Sequence, residues 1–523
     1  MVAAMLGKPK YHSQFYQLLL QALGDAHVSI REIDRITYAR DCNFQSTIQA
    51  RAKHYPFHPD IIVWPKGAAE IAKVFKLARR FRVPIIPYGG GSGVGGGTLP
   101  TKGGVIMDMK RNREFLELNK REGWVCVETG LNGEQLERFL NRKGYTLGHF
   151  PSSIYCSTVG GWLAARSAGQ CSSRYGKIED MVIALEVVVP TGEIITTSYV
   201  KNKADVMDWN QLFIGTEGTL GTITKAWLRV HSLPEKQLFR GVVFPTLERG
   251  IAAMREVMQQ GLQPAVLRLY DPLDTHMFFG SYQPAGSPSV LERLKSMIAA
   301  TVGSMVEGAK AWGLRRALTL PGFANYLPSL VQDKVLLIVG CEGIDTVAEL
   351  EMQAILKIAT DFDGEDAGVA LGEHWYQHRY SMAYKASPIF HQGAFVDTVE
   401  VATTWDHLDQ LYATVKSAIE PHALVMAHLS HAYHDGCAIY FTFIAYESTA
   451  SKSEALFETI WHQALSACQR AGGVISHHHG IGRLKVEFMR EEWNEGIELL
   501  RGFKRVWDRA YLMNPGKLIP FRE

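Results

Sequence analysis

Three consecutive histidines, His477, His478 and His479, stand ahead of Gly480-Ile481-Gly482. Imidazole titrates near neutral pH, so such a run could take and return a proton. Neighbouring side chains diverge on a strand or in a turn, so at most two of the three can face one site. By position these are His478 and His479. Tyr440, in the apolar run Gly436-Cys437-Ala438-Ile439-Tyr440-Phe441, offers a hydroxyl that could relay or orient a proton. Arg268, between Leu267 and Leu269, offers a fixed cation for a phosphate or a carboxylate. The plainer readings are a core tyrosine, a surface arginine and structurally satisfied histidines. A second cluster, His428, His431 and His434 with Asp435, has a spacing that would suit metal ligands on a helix. A polar loop beside the active site is the competing reading, and no metal is expected.

A different chemistry is written into Pro87-Tyr88-Gly89-Gly90-Gly91-Ser92-Gly93-Val94-Gly95-Gly96-Gly97, which holds seven glycines in eleven residues. Glycine gives up side-chain contacts, so a core does not call for such a run. It lets a backbone lie directly against a ligand with its N–H groups turned toward phosphate oxygens. Gly91, Gly93 and Gly96 spell a literal G-x-G-x-x-G, but that fingerprint needs a helix opening inside the motif. Thr98-Leu99-Pro100-Thr101-Lys102-Gly103-Gly104 cannot start one. The run therefore reads as a pyrophosphate loop of a non-Rossmann kind.

The elements that must position these residues follow from periodicity. Residues 12–24 read as an amphipathic helix stopped by Gly24. Ile71, Val74, Phe75 and Ala78 mark the apolar face of a helix from Ala68 to Arg80. A strand from Pro84 to Ile86 feeds the glycine run, and Gly104–Met109 and Trp124–Glu128 are further strands. Met181–Val189 and Glu193–Thr197 form a hairpin about Thr191-Gly192. Gly215-Thr216-Glu217-Gly218-Thr219-Leu220-Gly221 is a second glycine-punctuated turn, feeding a strand from Thr222 to Val230. After about residue 235 glycine thins out, and longer helices alternate with strands such as Leu262–Tyr270 and Val335–Gly340.

The chain of 523 residues carries a net charge of +2 and no basic run, so a nucleic-acid role has no compositional support. Its seven cysteines form no C-x-x-C pair, which suggests reduced thiols in a cytoplasmic setting. The N-terminal residues lack a signal-peptide apolar core, and Pro520-Phe521-Arg522-Glu523 is not a peroxisomal address. No apolar run approaches the roughly 18 residues needed to span a bilayer. A cytoplasmic location is expected, with peripheral membrane contact left open.

Five stretches stand in an order that carries a resemblance: Asp60-Ile61-Ile62-Val63-Trp64-Pro65, the loop Pro87–Gly93, Ser157-Thr158-Val159-Gly160-Gly161-Trp162, Tyr175-Gly176 with Ile178-Glu179-Asp180, and Gly215–Gly221. Together they resemble the FAD-binding domain of the vanillyl-alcohol-oxidase (PCMH-type) flavoproteins. The resemblance implies an α+β fold: a two-subdomain FAD-binding domain at 56–235, behind an N-terminal helical segment at 1–55. An α+β cap for the substrate would span 236–453, and a mostly helical tail at 454–523 would return to the FAD site. It also implies cofactor roles for Pro87, Tyr88, Gly89, Gly90, Gly91, Ser92, Gly93 and Val94 at the pyrophosphate. Pro151, Ser157, Thr158, Gly160, Gly161 and Tyr175 would lie along the rest of the flavin, and Glu217, Gly218 and Ile223 at the adenine end. A turn or helix-cap carboxylate is the plainer reading of Glu217. Some members attach the flavin through a loop histidine; Ser92 holds that position here, so non-covalent FAD is expected.

The segments Gly436–Phe441, Ser476–Gly482 and Leu267-Arg268-Leu269 are similar to those of the alkyldihydroxyacetonephosphate synthases. That likeness implies exchange of the acyl group of acyl-dihydroxyacetone phosphate for a fatty alcohol in ether-lipid synthesis. In that mechanism the flavin N5 holds the substrate while acid leaves and alcohol enters. Tyr440, His478, His479 and His477 would be catalytic, and Arg268 would anchor phosphate. The synthases carry a further cap arginine where this chain has Lys385-Ala386. Arg379 instead is similar to a substrate arginine of D-2-hydroxyacid (lactate- or glycolate-type) dehydrogenases and oxidases, the alternative activity. A small-molecule or lipid substrate is implied, with homodimerisation left open.

Overall fold

The computed structural model describes residues 6–200, 207–281, 325, 334–381, 389–390 and 393–520. The chain divides into two compact units. Unit 1 draws on Met1–Gly169, Gly176–Leu233 and Ser476–Glu523, and unit 2 on Gln170–Tyr175 and Pro234–Ile475.

Unit 1 begins with a four-stranded sheet of β1 (Val28–Ser29), β2 (Ile61–Val63), β3 (Ile85–Tyr88) and β4 (Val105–Asp108), in the order β1-β2-β4-β3. Both β2 and β3 run parallel to β4. Parallel strands covered on both faces read as continuous apolar runs, and β2 and β4 are buried throughout. The helix Gly67–Phe81 presents Ile71, Val74, Phe75 and Ala78 to the core, as its 3.6-residue period predicts. Phe15 and Leu19 of the helix Ser13–Leu23 join the same core. Because β3 and β4 are parallel, the chain between them must cross back, and the glycine run makes that crossing.

The rest of unit 1 carries β5 (Phe115–Asn119), β6 (Trp124–Glu128), β7 (Tyr145–Thr146), β8 (Val182–Val188), β9 (Ile194–Thr196), β10 (Thr222–Arg229) and β11 (His231–Ser232). A five-stranded antiparallel sheet has the order β5-β6-β10-β8-β9, and β7 pairs with β11. The C-terminal tail closes the unit. Met513 is buried in the first core and bridges Ile85 at the edge of β3.

Unit 2 is built on β12 (Lys236–Phe244), β13 (Val266–Tyr270), β14 (Val335–Gly343), β15 (Glu365–Gly368), β16 (Ala394–Thr404), β17 (Leu424–Ala432) and β18 (Gly436–Tyr446). They form one antiparallel sheet in the order β15-β12-β14-β13-β17-β18-β16. Helices Leu247–Gln259, Asp345–Asp361, Leu408–Ile419 and Ala450–Arg470 pack with it. The last of these belongs to unit 2, so the return to unit 1 starts at Ser476, later than a tail beginning at residue 454. The molecule is thus an α+β protein. Among the described residues no helix is long and apolar enough to cross a membrane.

Candidate active site

The glycine run leaves β3 at Tyr88 and lies on the turn that contains Ser157 and Thr158. A Cβ at Gly89 would stand 2.4 Å from Thr158 Oγ1, and one at Gly90 would stand 2.0 Å from the Cys156 carbonyl. Gly91 has φ +66°, and a Cβ there would meet the Tyr88 hydroxyl at 2.0 Å. The loop is pinned through its carbonyls. Gly89 accepts from Lys110 Nζ at 2.9 Å, Gly91 from Cys42 N at 3.1 Å, and Val94 from Asn43 Nδ2 at 3.0 Å. Gly95 accepts from Arg483 N and Leu484 N. Among the described residues, no N–H group from Gly89 to Gly95 donates a hydrogen bond within the protein. A row of unengaged donors on a loop whose carbonyls at Gly89, Gly91, Val94 and Gly95 are held by the protein suits a diphosphate.

The neighbouring residues have a different job. Thr158 Oγ1 accepts from Gly161 N and caps the helix Val159–Ala165. Ser157 Oγ accepts from Trp162 Nε1 at 2.8 Å, and Gly160 N donates to Thr129 O at 2.7 Å. Pro151 O accepts from Ile154 N, and Ile223 O from Thr129 Oγ1. These groups are thus engaged within the protein. Gly218, at φ +75°, sets its Cα 's missing side chain against Pro87, where a Cβ would be 2.8 Å from Pro87 Cγ.

Glu217 and the histidine run meet in unit 1. The half-buried Glu217 carboxylate accepts from Ile481 N at 2.6 Å and Gly482 N at 2.9 Å. A Cβ at Gly480 would lie 2.4 Å from Glu217 Oε1, and one at Gly482 would lie 2.0 Å from Gly95 O. Both glycines have positive φ, +77° and +56°. They are therefore what lets the run press onto the glycine loop. Lys177 Nζ donates to His477 O at 2.7 Å, and Ser476 Oγ donates to Gly480 O. His477 Nδ1 and His478 Nδ1 share a hydrogen bond of 2.9 Å, with their rings edge-on. His478 is buried, while His477 and His479 are half-buried.

In unit 2 a row of polar side chains crosses the apolar sheet. Glu400 on β16, Tyr440 on β18, His428 on β17 and Tyr270 on β13 are successive register partners. Arg268, two residues before Tyr270, lies on the same face. Its guanidinium donates to His428 Nε2 at 2.8 Å, which leaves His428 Nδ1 to donate to Asp274 at 3.2 Å. Burial and the Arg268 charge hold the His428 imidazole well below its usual pKa, so it is neutral. Burial raises the Asp274 carboxyl to about 7. The His428 ring stacks on Tyr440 with centroids 4.7 Å apart. Tyr440 Oη bonds His431 Nε2 at 3.2 Å, and His431 Nδ1 bonds Ser172 Oγ at 2.7 Å. Burial, then the Glu400 charge, pushes the Tyr440 hydroxyl well above its ordinary range, so it stays protonated. A buried nitrogen of Arg268, Nε, has no hydrogen-bond partner in the protein, as suits a group aimed at an anion.

Residues 59–198 match the FAD binding domain family, and residues 233–518 match the FAD linked oxidases, C-terminal domain. The chain belongs to the FAD-linked oxidases. It is 30% identical over 524 residues to an alkyldihydroxyacetonephosphate synthase of Dictyostelium discoideum, covering 98% of this chain and 82% of that protein. A solved structure of an alkyldihydroxyacetonephosphate synthase superposes with a TM-score of 0.76 at 25% identity, covering 98% of this chain and 86% of the other. A mitochondrial D-lactate dehydrogenase [cytochrome] of Arabidopsis thaliana is 26% identical, covering 88% of this chain and 74% of that protein. The cofactor of this FAD-linked oxidase is therefore FAD, and the free donors of Gly89–Gly95 fit its diphosphate.

Several expected site residues have partners of their own in this family member. Tyr175, expected along the flavin, belongs to unit 2, where its hydroxyl donates to Glu342 at 2.6 Å. Glu217, expected at the adenine end, has both oxygens accepting from the backbone that follows the histidine run. His428 and His431 lie on a strand, neither on a helix nor in a loop, and are hydrogen-bonded to Arg268, Asp274, Tyr440 and Ser172. His434 is exposed in the turn that follows. The Arg379 guanidinium donates to Tyr376 O and lies over the rings of Tyr376 and Tyr380. Lys385 lies outside the described residues. Asp274, Ser172 and Glu400 were missed. Nothing in a single carboxylate or hydroxyl signals a partner that lies 154 or 259 residues away.

Proposed function

We propose that this FAD-dependent enzyme exchanges the acyl group of acyl-dihydroxyacetone phosphate for a fatty alcohol, forming an ether bond with no net redox change. The observation that carries the reading is the histidine run fixed on the flavin loop by Glu217, Gly480 and Gly482. Its ring nitrogens supply the base that the reaction needs at the substrate carbon. His478 and His479 take that proton and return it. Tyr440 offers a protonated hydroxyl to the departing or entering oxygen. Arg268, oriented by His428, holds the phosphate through a planar cation. Bound FAD supplies an electron sink for the substrate carbon. Oxidation of a D-2-hydroxyacid is the second reading, favoured by the D-lactate dehydrogenase relative.

An anaerobic flavin spectrum separates the two. Palmitoyl-dihydroxyacetone phosphate should bleach the visible flavin band, and a fatty alcohol should restore it without an oxidant as ether product appears. If only a D-2-hydroxyacid bleaches the band, and colour returns only with an electron acceptor, the exchange reading is wrong. His479→Ala should retain FAD and lose turnover by about 100-fold or more, the usual range for a proton-transfer group. Wild-type turnover in that variant would remove the histidine run from the mechanism.

A further inference from the structure

We infer that the outer face of the helix Gly496–Trp507 is an interface at which two copies of this chain pair antiparallel, about a two-fold axis at Gly502. The inference is independent of the reaction catalysed.

The inner face of this helix is committed to unit 1. Ile497, Leu500, Arg501 and Lys504 recur with the helical period and are buried. Lys504 Nζ alone makes three hydrogen bonds, to Thr219 O at 2.7 Å, Asp508 Oδ2 at 2.7 Å and Met513 O at 2.8 Å. The outer face is apolar where water would call for charge. Leu499 and Val506 are 72% and 70% exposed, and Trp493, just ahead of the helix, is 45% exposed. A lone exposed apolar side chain is ordinary, but these line up on a helix whose inward stripe is already spent. Gly502 lies between them, and a Cβ there would meet nothing within 4 Å. Glycine is unfavourable inside a helix, and nothing within this chain requires it here. A bare backbone at the centre of an apolar stripe lets a second helix approach closely.

The charges say which occupant fits. With about 3.6 residues per turn, Leu499 and Val506 share one column of the outer face and Glu498 and Arg505 the column beside it, with Gly502 between. A two-fold axis at Gly502 reverses each column end for end and keeps apolar opposite apolar. Leu499 then faces Val506 of the partner subunit, and Glu498 faces Arg505 of the partner subunit, each contact made twice. Glu498 also pairs with Arg501 of its own helix, while its side chain stays 43% exposed. A carboxylate can accept from both arginines. Beyond the stripe, Glu491 and Glu495 are exposed at the N-terminal end, beside Arg490, and Arg505 and Arg509 at the C-terminal end. Antiparallel pairing sets the acidic end of one copy on the basic end of the other. A parallel pair would lay the apolar column on the charged one and join like ends. An anionic lipid surface would meet Glu491, Glu495 and Glu498 on the same face, so it is the poorer occupant. One helix face is smaller than the roughly 800 Å² per partner of a standard interface, so the dimer is of about micromolar strength and depends on concentration.

The test is sedimentation velocity on the FAD-loaded full chain, from about 1 to 100 µM, bracketing that strength. The wild type should shift from one chain toward two as concentration rises. Gly502→Glu is the deciding variant. Its side chain has open space in the single chain and a better helix former replaces glycine, so the melting temperature should hold or rise. At the axis, however, two carboxylates would meet, and association should weaken at least about tenfold. Arg505→Glu should weaken association as well, and the Glu498→Arg/Arg505→Glu double variant should restore it, because the reversed pairs re-form across the axis. A wild type that stays a single chain at the highest concentration would overturn the interface. So would a dimer that Gly502→Glu leaves intact, since the copies would then meet elsewhere. A third outcome also overturns it: a monomer that floats with vesicles of anionic phospholipid and loses that binding in Val506→Glu, which would give the face to lipid.

Discussion

The buried charges of unit 1 show at the residue scale how the flavin loop and the tail depend on each other. Lys517 is almost fully buried and donates to Leu99 O at 2.9 Å. Burial pushes its ammonium down to about 8, against the attraction of Glu217 and Asp41. Burial raises Asp41 to about 6, with hydrogen bonds from Asn43 and Thr98 pulling the other way. Glu217 is raised by burial too, and the Gly482 and Ile481 N–H groups restrain it. The lysine pKa is lower folded than unfolded, so below pH 8 folding carries the cost of a buried cation. Between about pH 8 and 10.5 the folded protein releases that proton before the unfolded chain does. Stability from this group therefore rises with pH across that window, by on the order of 3 kcal/mol. Urea midpoints of wild type and Lys517→Met, compared at several pH values from 7 to 10.5, should converge or cross in the direction of the wild type as pH rises. Parallel curves would show that Lys517 is charged alike in both states.

At the scale of elements, the glycine loop makes two of its glycines do opposite things. Gly91 needs its positive φ, and a side chain there would strike Tyr88. Gly93 has an ordinary φ, and a Cβ there would meet nothing within 4 Å. Gly91→Ala should therefore disturb the loop itself, lowering the melting temperature of the FAD-free protein. On the proposal that the cofactor's diphosphate lies against Gly93, Gly93→Ala should leave that temperature unchanged and still weaken FAD by about tenfold. FAD affinity from fluorescence quenching decides it; unaltered affinity in Gly93→Ala would place the diphosphate elsewhere. The loop was legible in the sequence because so much glycine between two strands has few other uses. The helix 67–81 was legible because Ile71, Val74, Phe75 and Ala78 repeat with its period. His431 was not, since one inserted residue in β17 reverses its face and leaves no mark in composition. Glu217 was not, since its partners arrive 264 residues later. The hydrogen bond of Tyr175 to Glu342 was not legible either, since the two lie 167 residues apart.

For the molecule as a whole, the order of the chain sets which parts can fold alone. Among the described residues, the seven strands of unit 2 lie between Lys236 and Tyr446, uninterrupted by unit 1. Unit 1 is not so placed: its last piece follows the whole of that sheet. That piece supplies Met513 to the first core, the N–H groups that Glu217 accepts, and Asn514, whose amide donates to Gly97 O and Glu217 O. Contacts spanning most of the chain are slow to form, so the flavin loop should reach its final shape only after synthesis is complete. Met513 is where this dependence can be measured. Truncating a buried methionine costs about 2–5 kcal/mol in transfer and cavity terms, and here the loss falls beside Ile85, one strand length from the glycine loop. Met513→Ala should lower the temperature at which flavin fluorescence rises on release of FAD, which is expected because Ser92 offers no covalent attachment. The unfolding of the unit 2 sheet, followed by a tryptophan-specific or hydrogen-exchange probe within β12 to β18, should shift much less. Equal shifts in both signals would mean that the two units unfold as one cooperative body, and that the tail stabilises the sheet of unit 2 as much as the flavin loop.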